Sequence, residues 1–348
     1  MRVFDYSFLK NAMLPSNLID ITSGISELKI LQNIRKNDFK EIFIKLESIA
    51  KVQSVKGSNA IEGIITSDKR IEEIVNNSSA PLNHNEAEIA GYRDALHLIH
   101  DGHQNIDIKE SDILKLHQTL LYYTAYAERG VYKTSDNMIL EIDAFGNRKV
   151  RFSPTPAAET RMAMEQACLA YAAARADSGI NQLLLIPCFI LDFLCIHPFS
   201  DGNGRISRLL SLLLLYKNGF DAGKYISFEE QINKSKNVYY ESLRLSSDNW
   251  SSGKNTYVPF IENFIMTLLM CYKELDSRFA LINGKRVTKK ERVEATLLNS
   301  LMPIGKKEIA YVLPDVSAST IEAVLSEMIK NGRVKKLGGF KDAKYLRL

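Results

Sequence analysis

Cysteine is scarce. The 348 residues hold four, Cys168, Cys188, Cys195 and Cys271, none in a C-x-x-C pair and each inside an apolar stretch. A disulfide framework and a structural zinc site are therefore not expected, and a reducing compartment fits. Glycine (18) and proline (9) are too few for a collagen-like or low-complexity chain. Charge of one sign is also lacking: 45 Lys+Arg stand against 41 Asp+Glu, a net of +4, which is no polycation for coating nucleic acid. The longest apolar runs, 183–196 and 206–216, fall short of the ~20 residues a bilayer needs, and the first carries Pro187 and Asp192. Asp5 sits where a signal peptide would have its apolar core. What is present is 45% hydrophobic and 25% charged, ordinary for a globular protein, and the length suggests two or three domains. We expect a soluble, cytoplasmic protein with no membrane partner.

Apolar residues recur at helical spacing through most of the chain. After an N-terminal arm, Leu28, Leu31, Ile34 and Phe39, Ile42, Phe43 mark helix, and helices continue around S-N-A-I-E-G at 58–63. Asn83 caps a helix over 86–98, and 111–122 is another. Further helices are expected at 157–177, 181–196, 204–218, 234–246 and 256–280. Residues 130–152 differ: β-prone runs flank the turn Asp143–Asn147, which predicts a hairpin ended by S-P-T-P at 153–156.

The chemistry is concentrated in residues 197–208, H-P-F-S-D-G-N-G-R-I-S-R. An apolar helix should end at His197, because Pro198 drives the residue before it toward extended geometry. Gly202 and Gly204 are free to take positive φ in a tight turn that feeds the next helix. A glycine-rich loop at a helix N-terminus is an anion site. Arg205 and Arg208, three apart, can share one helix face and one ligand. Asp201 is a hard oxygen donor suited to Mg²⁺ beside a polyphosphate. His197 can take a proton near neutral pH. Taken singly, each feature is ordinarily structural: a Gly-x-Gly turn is usually a plain loop and paired arginines usually a solvated face. Their concentration in twelve residues is what sets the segment apart.

The string resembles the Fic-domain signature H-P-F-x-[D/E]-G-N-G-R-x-x-R at all nine constrained positions. The resemblance covers roughly residues 1–280. It implies a mainly α fold, a Fic-type helical domain with a small β-hairpin flap. It also implies a protein adenylyltransferase that moves AMP from ATP to a Ser, Thr or Tyr hydroxyl of a protein, itself included. His197 would be the general base and Asp201 would hold Mg²⁺. Gly202, Asn203 and Gly204 would form the anion hole, with Ile206 and Ser207 in the same cradle. Arg205 and Arg208 would hold the β- and γ-phosphates, and Phe199 would pack under the loop. Ser58, Glu62 and Gly63 match the inhibitory pattern [S/T]-x-x-x-E-[G/N]; Glu62 would pair with Arg208 in the place of the γ-phosphate. Asn137, Met138, Ile139 and Leu140 would be the flap's ligand-facing strand. Tyr239 and Tyr240 stand where the family has a Tyr-Tyr pair near adenine; the Asn common seven residues later is Ser247 here. His117, in L-H-Q-T-L, resembles a family helix position and reads most simply as a core-edge histidine.

From residue 285 to 348 the chain turns basic, with 14 Lys+Arg against 7 Asp+Glu. Helices at 290–301, 306–312 and 317–330 and a hairpin over 333–348 suggest a winged helix-turn-helix. The domain reading is thus an N-terminal helical region with the inhibitory helix (1–105), a catalytic core (106–282), a linker at 286–288 and the winged helix (286–348). A DNA-binding regulator is the rival function. Against it, the expected recognition helix carries Glu322, Glu327 and a single Lys. Docking to a protein or to a second copy therefore ranks ahead of DNA for this tail. Removal of AMP, and transfer from UTP or CDP-choline, remain open from sequence.

Overall fold

The structure, a computed structural model, describes residues 2–142, 148–279, 288–298, 300, 303–339 and 343–347. The expected turn at 143–147 and most of the 286–288 linker lie outside them. The described residues are mainly helical: α1 (Asn17–Asp38), α2 (Lys40–Ile61), α3 (Asp68–Asn77), α4 (His84–Gly102), α5 (Glu110–Leu120), α6 (Ala157–Ala176), α7 (Gln182–Ile196), α8 (Asn203–Lys217), α9 (Phe228–Lys234), α10 (Lys236–Ser247), α11 (Val258–Ser277), α12 (Lys289–Leu298), α13 (Lys306–Val312) and α14 (Ala318–Lys330). The strands are β1 (Ile139–Ile142), β2 (Arg148–Phe152), β3 (Ile304–Gly305), β4 (Val334–Leu337) and β5 (Lys344–Arg347). Among the described residues, no helix is long and apolar enough to cross a membrane.

Two compact units result, residues 1–26 with 50–271 and residues 27–49 with 272–348. In the first, α7 is apolar on every side and all but two of its residues are buried, so it is the central core helix, packed against α6 and α8. Asn181 caps its start by accepting from the Leu183 N–H at 2.9 Å. Asn83 caps α4 in the same way, accepting from Glu86 N at 3.0 Å. The N-terminal arm is pinned to α7 by a buried carboxylate. Asp192 accepts from Tyr6 Oη at 2.8 Å, Trp250 Nε1 at 2.6 Å and Tyr257 Oη at 3.0 Å. Burial pushes the Asp192 carboxyl up despite Arg2 and these donors.

β1 and β2 form the expected antiparallel hairpin, with a bulge between Ile139 and Leu140 that skips Arg151. The strand starts at Ile139, so Asn137 and Met138 precede it. The helix expected at 234–246 is α10, and a short helix not expected from sequence, α9, precedes it and ends at Ser235. In the second unit, α12, α13 and α14 enclose a small core of Val293, Leu297, Ile309, Ile321, Leu325 and Tyr345. Its sheet has the order β3-β5-β4. β3 is two residues long, too short for any alternation to announce it.

Candidate active site

α7 ends at His197, but not by extended geometry. His197 is left-handed, φ 52° and ψ 61°, and its N–H donates to Phe193 O at 2.9 Å, closing the helix as a cap. That conformation costs a residue with a Cβ roughly 1–2 kcal/mol, so the surroundings must impose it. The imidazole is tied down as well. Nδ1–H donates to Leu194 O at 3.2 Å, which leaves Nε2 as the unprotonated nitrogen. Burial holds the ring's pKa down to about 4, opposed by the Leu194 hydrogen bond and assisted by nearby Lys133. His197 is thus a neutral imidazole across the neutral range.

The loop after His197 is braced from both sides. Asn203 accepts from Phe199 N at 2.9 Å and donates back to Phe199 O at 2.7 Å. Phe199 is fully buried, its ring stacked on His117 at 3.7 Å between centroids. His117 Nε2–H donates to Asp201 O at 3.1 Å, while its Nδ1 accepts from Gly130 N at 2.9 Å. Burial lowers this ring to about 4 too, so it stays neutral in that tautomer. Gly202, at φ 80°, makes the turn that opens α8; a Cβ there would also meet Leu120 Cδ2 at 3.1 Å. Gly204 has no positive φ; it is needed for space, because a Cβ would run into Glu62 Oε1.

The arginines behave differently from one another. Arg208 is fully buried. Its Nε donates to Ser58 Oγ at 2.8 Å, and its Nη2 donates to Ser58 O at 3.0 Å and Glu62 Oε1 at 2.8 Å. Glu62 lies one residue past the end of α2, where Gly63 turns the chain at φ 80°. Burial pushes its carboxyl up, but Arg208, together with Arg205 and Lys236, outweighs it, so the net shift is downward. Arg205 is also buried, and its guanidinium is engaged by Glu88 and, at 3.1 Å, by Asp201. It braces the loop rather than projecting into open space. Ile206 is fully buried and its N–H donates to Gly202 O; Ser207 Oγ donates to Gly204 O at 2.7 Å. Tyr239 is buried beside Arg208, whereas Tyr240 is exposed along α10.

Two cavities meet at this point, sharing Glu62, His197 and Gly204. One, about 330 Å³, surrounds Asp201–Arg205 at the N-terminus of α8. The other, about 600 Å³, runs between the hairpin and α10 past Ile139, Leu140, Tyr240 and Arg151. The Asn137 side chain faces neither; it donates to Phe199 O at 3.1 Å and accepts from Lys133 Nζ at 2.8 Å. The geometry offers a neutral base between an anion-binding helix end and a nucleoside-sized groove. Among the described residues, no three His, Cys, Asp or Glu side chains cluster as a metal cage. Asp201 alone, half-exposed with one oxygen on Arg205, suits Mg²⁺ in the mode that relies on substrate phosphates for its other ligands.

Residues 107–215 match the model of the Fic/DOC family. That segment is similar to a Fic domain. A Fido domain-containing protein of Dictyostelium discoideum is 29% identical over 122 residues, 35% of this chain and 79% of that protein. A Fic family protein from Desulfovibrio desulfuricans shares the fold with a TM-score of 0.63 at 18% identity, covering 97% of both chains. A Fic domain containing signaling protein from Bacteroides thetaiotaomicron aligns with a TM-score of 0.59 at 21% identity, covering 74% of this chain and 96% of that one. Fic domain proteins typically transfer nucleotide or other groups to proteins. Two residues near this site, Glu88 and Lys133, were not marked by any sequence signal. Glu88 is one of several charges on its helix, and its partner Arg205 is 117 residues away. Lys133 sat in a stretch with no periodicity to single it out.

Proposed function

We propose that this chain is a protein adenylyltransferase that moves AMP from ATP to a Ser, Thr or Tyr hydroxyl, on itself or on another protein. The observation that carries the reading is His197: a neutral imidazole with Nδ1 fixed and Nε2 free, where the two cavities join. Nε2 accepts the hydroxyl proton as the oxygen bonds to the α-phosphorus, and the bond to pyrophosphate breaks on the opposite side. The unpaired N–H groups of the first turn of α8 and the Arg208 guanidinium receive the phosphates, and Asp201 would hold Mg²⁺. Bound there, the ion would supply neutralisation of phosphate charge. The nucleoside would lie in the larger groove, against Tyr240.

The second element of the proposal is self-inhibition. Glu62 occupies Arg208 and covers Gly204, so a γ-phosphate and this carboxylate compete for the same guanidinium. The hairpin edge would align the target segment. Residues 288–347 we read as a winged helix that docks a protein or a second copy. Glu322 and Glu327 of α14 pair with Lys306 and Lys290, which leaves its surface poorly suited to a DNA groove.

The test is to incubate the chain with Mg²⁺ and either α- or γ-labelled ATP and to look for label on protein. AMP transfer requires label from the α position only. Label from γ alone would identify a kinase and overturn the proposal; α-labelled UTP in parallel reads the choice of base.

A further inference from the structure

One buried cation next to His197 has no part in the chemistry described so far. Lys133 is 4% exposed and lies in the irregular stretch between α5 and β1. Its backbone N–H donates to Pro198 O at 2.9 Å. Its ammonium donates to Ile196 O at 3.3 Å and to Asn137 Oδ1 at 2.8 Å. Asn137 passes the link on, its Nδ2 donating to Phe199 O at 3.1 Å. The carbonyls of residues 196, 198 and 199 are thereby all held from one short segment, and His197 is the residue between them. A left-handed histidine followed by proline does not keep that shape unaided. Burying an ammonium against neutral acceptors is itself costly, which argues for a task beyond filling space.

We propose that Lys133, acting with Asn137, is a positioning residue that fixes the backbone on both sides of His197 so that Nε2 faces the incoming hydroxyl. The inference rests on His197 being the general base. The ammonium holds both acceptors by charge-assisted hydrogen bonds, which weaken to ordinary amine hydrogen bonds when the proton is lost. Burial brings Lys133 down to about 8, with Asp136 opposing the shift. The titratable groups facing it are Asp136 on its own segment and His197 at the end of α7. The clip is therefore complete below about pH 8 and loosens above it, whereas His197 stays neutral throughout that range. An alkaline limb in activity follows, and it belongs to Lys133.

The experiment follows self-labelling from α-labelled ATP, with Glu62→Gly as parent, since that chain labels at least as well as the wild type on either view of Glu62. Lys133→Met should lower kcat by about 10- to 100-fold while leaving KM for ATP within about twofold, because base alignment and not phosphate binding is lost. The parent should lose activity through about pH 8, and the residual activity of Lys133→Met should be flat there. If Lys133→Met does not melt cooperatively, Asn137→Ala replaces it with the same split between kcat and KM expected. A variant within twofold of the parent in kcat, or a loss in KM alone, would overturn the proposal. So would an alkaline limb that persists in Lys133→Met. Absence of any label from the parent would instead count against the transferase reading.

Discussion

Replacing Glu62 by glycine tests the self-inhibition directly, and the structure sets the size of the effect. Arg208 keeps two hydrogen bonds to Ser58 in the variant and loses one, to Glu62 Oε1 at 2.8 Å. A hydrogen bond to a charged group contributes about 1.5–3 kcal/mol when well buried. The Glu62 side chain is 33% exposed, so solvent screens the pair and the lower end applies, about 1.4 kcal/mol, or tenfold. Self-labelling from α-labelled ATP should therefore rise about tenfold in Glu62→Gly, provided the released guanidinium is what the γ-phosphate needs. Adding Arg208→Ala should abolish that gain. The substitution is mild for the fold, because Glu62 sits past the last residue of α2, in a turn where glycine is well tolerated. The latch should also resist mild acid. Glu62's folded pKa lies below its ordinary value, so the pair is complete above the usual carboxylate range and is lost only as pH falls through the lowered value. Equal labelling of wild type and Glu62→Gly, or a gain that survives Arg208→Ala, would refute the competition.

His197→Ala should cut transfer by about 10²- to 10⁴-fold with nucleotide binding retained, read by labelling beside calorimetric titration with ATP; near-normal labelling would remove His197 as base. Because burial holds that ring near 4, its Cε1–H resonance should show no inflection between about pH 5.5 and 8, and an inflection near 6.5 would contradict the environment described. Asp201→Ala, or EDTA added to the wild type, should suppress labelling without lowering the melting temperature, since the carboxylate is half-exposed on a loop; full activity in EDTA would leave Asp201 a brace for Arg205 only. Tyr6→Phe removes a donor from the buried Asp192 carboxylate and should cost about 1–3 kcal/mol in denaturant unfolding, against a negligible change if the N-terminal arm were loosely held.

The parts of this protein legible in its sequence are those written in consecutive residues. Helix spacing announced α4 to α8 and α11 to α14 to within a few residues, because each helix hides its own apolar stripe and carries its own caps. The segment from His197 to Arg208 was legible because a loop and the helix it feeds bring base, carboxylate, glycines and arginines together without help from the rest of the chain. The i,i+4 spacing of Ser58 and Glu62 marked a shared face; the resemblance, and not the spacing, aimed it at Arg208. Tertiary structure alone decided what those groups do to one another. It engaged Arg205 with Glu88, turned Arg151 out of register through a bulge, and made β3 a strand because β5 lies beside it. It also set His197 in a left-handed conformation that the proline after it opposes, with Lys133 and Asn137 gripping the flanking carbonyls. The reason is the same in each case. Hydrogen bonds and burial between residues tens of positions apart outweigh local preference, and one strand of letters carries no record of which distant partner will supply them.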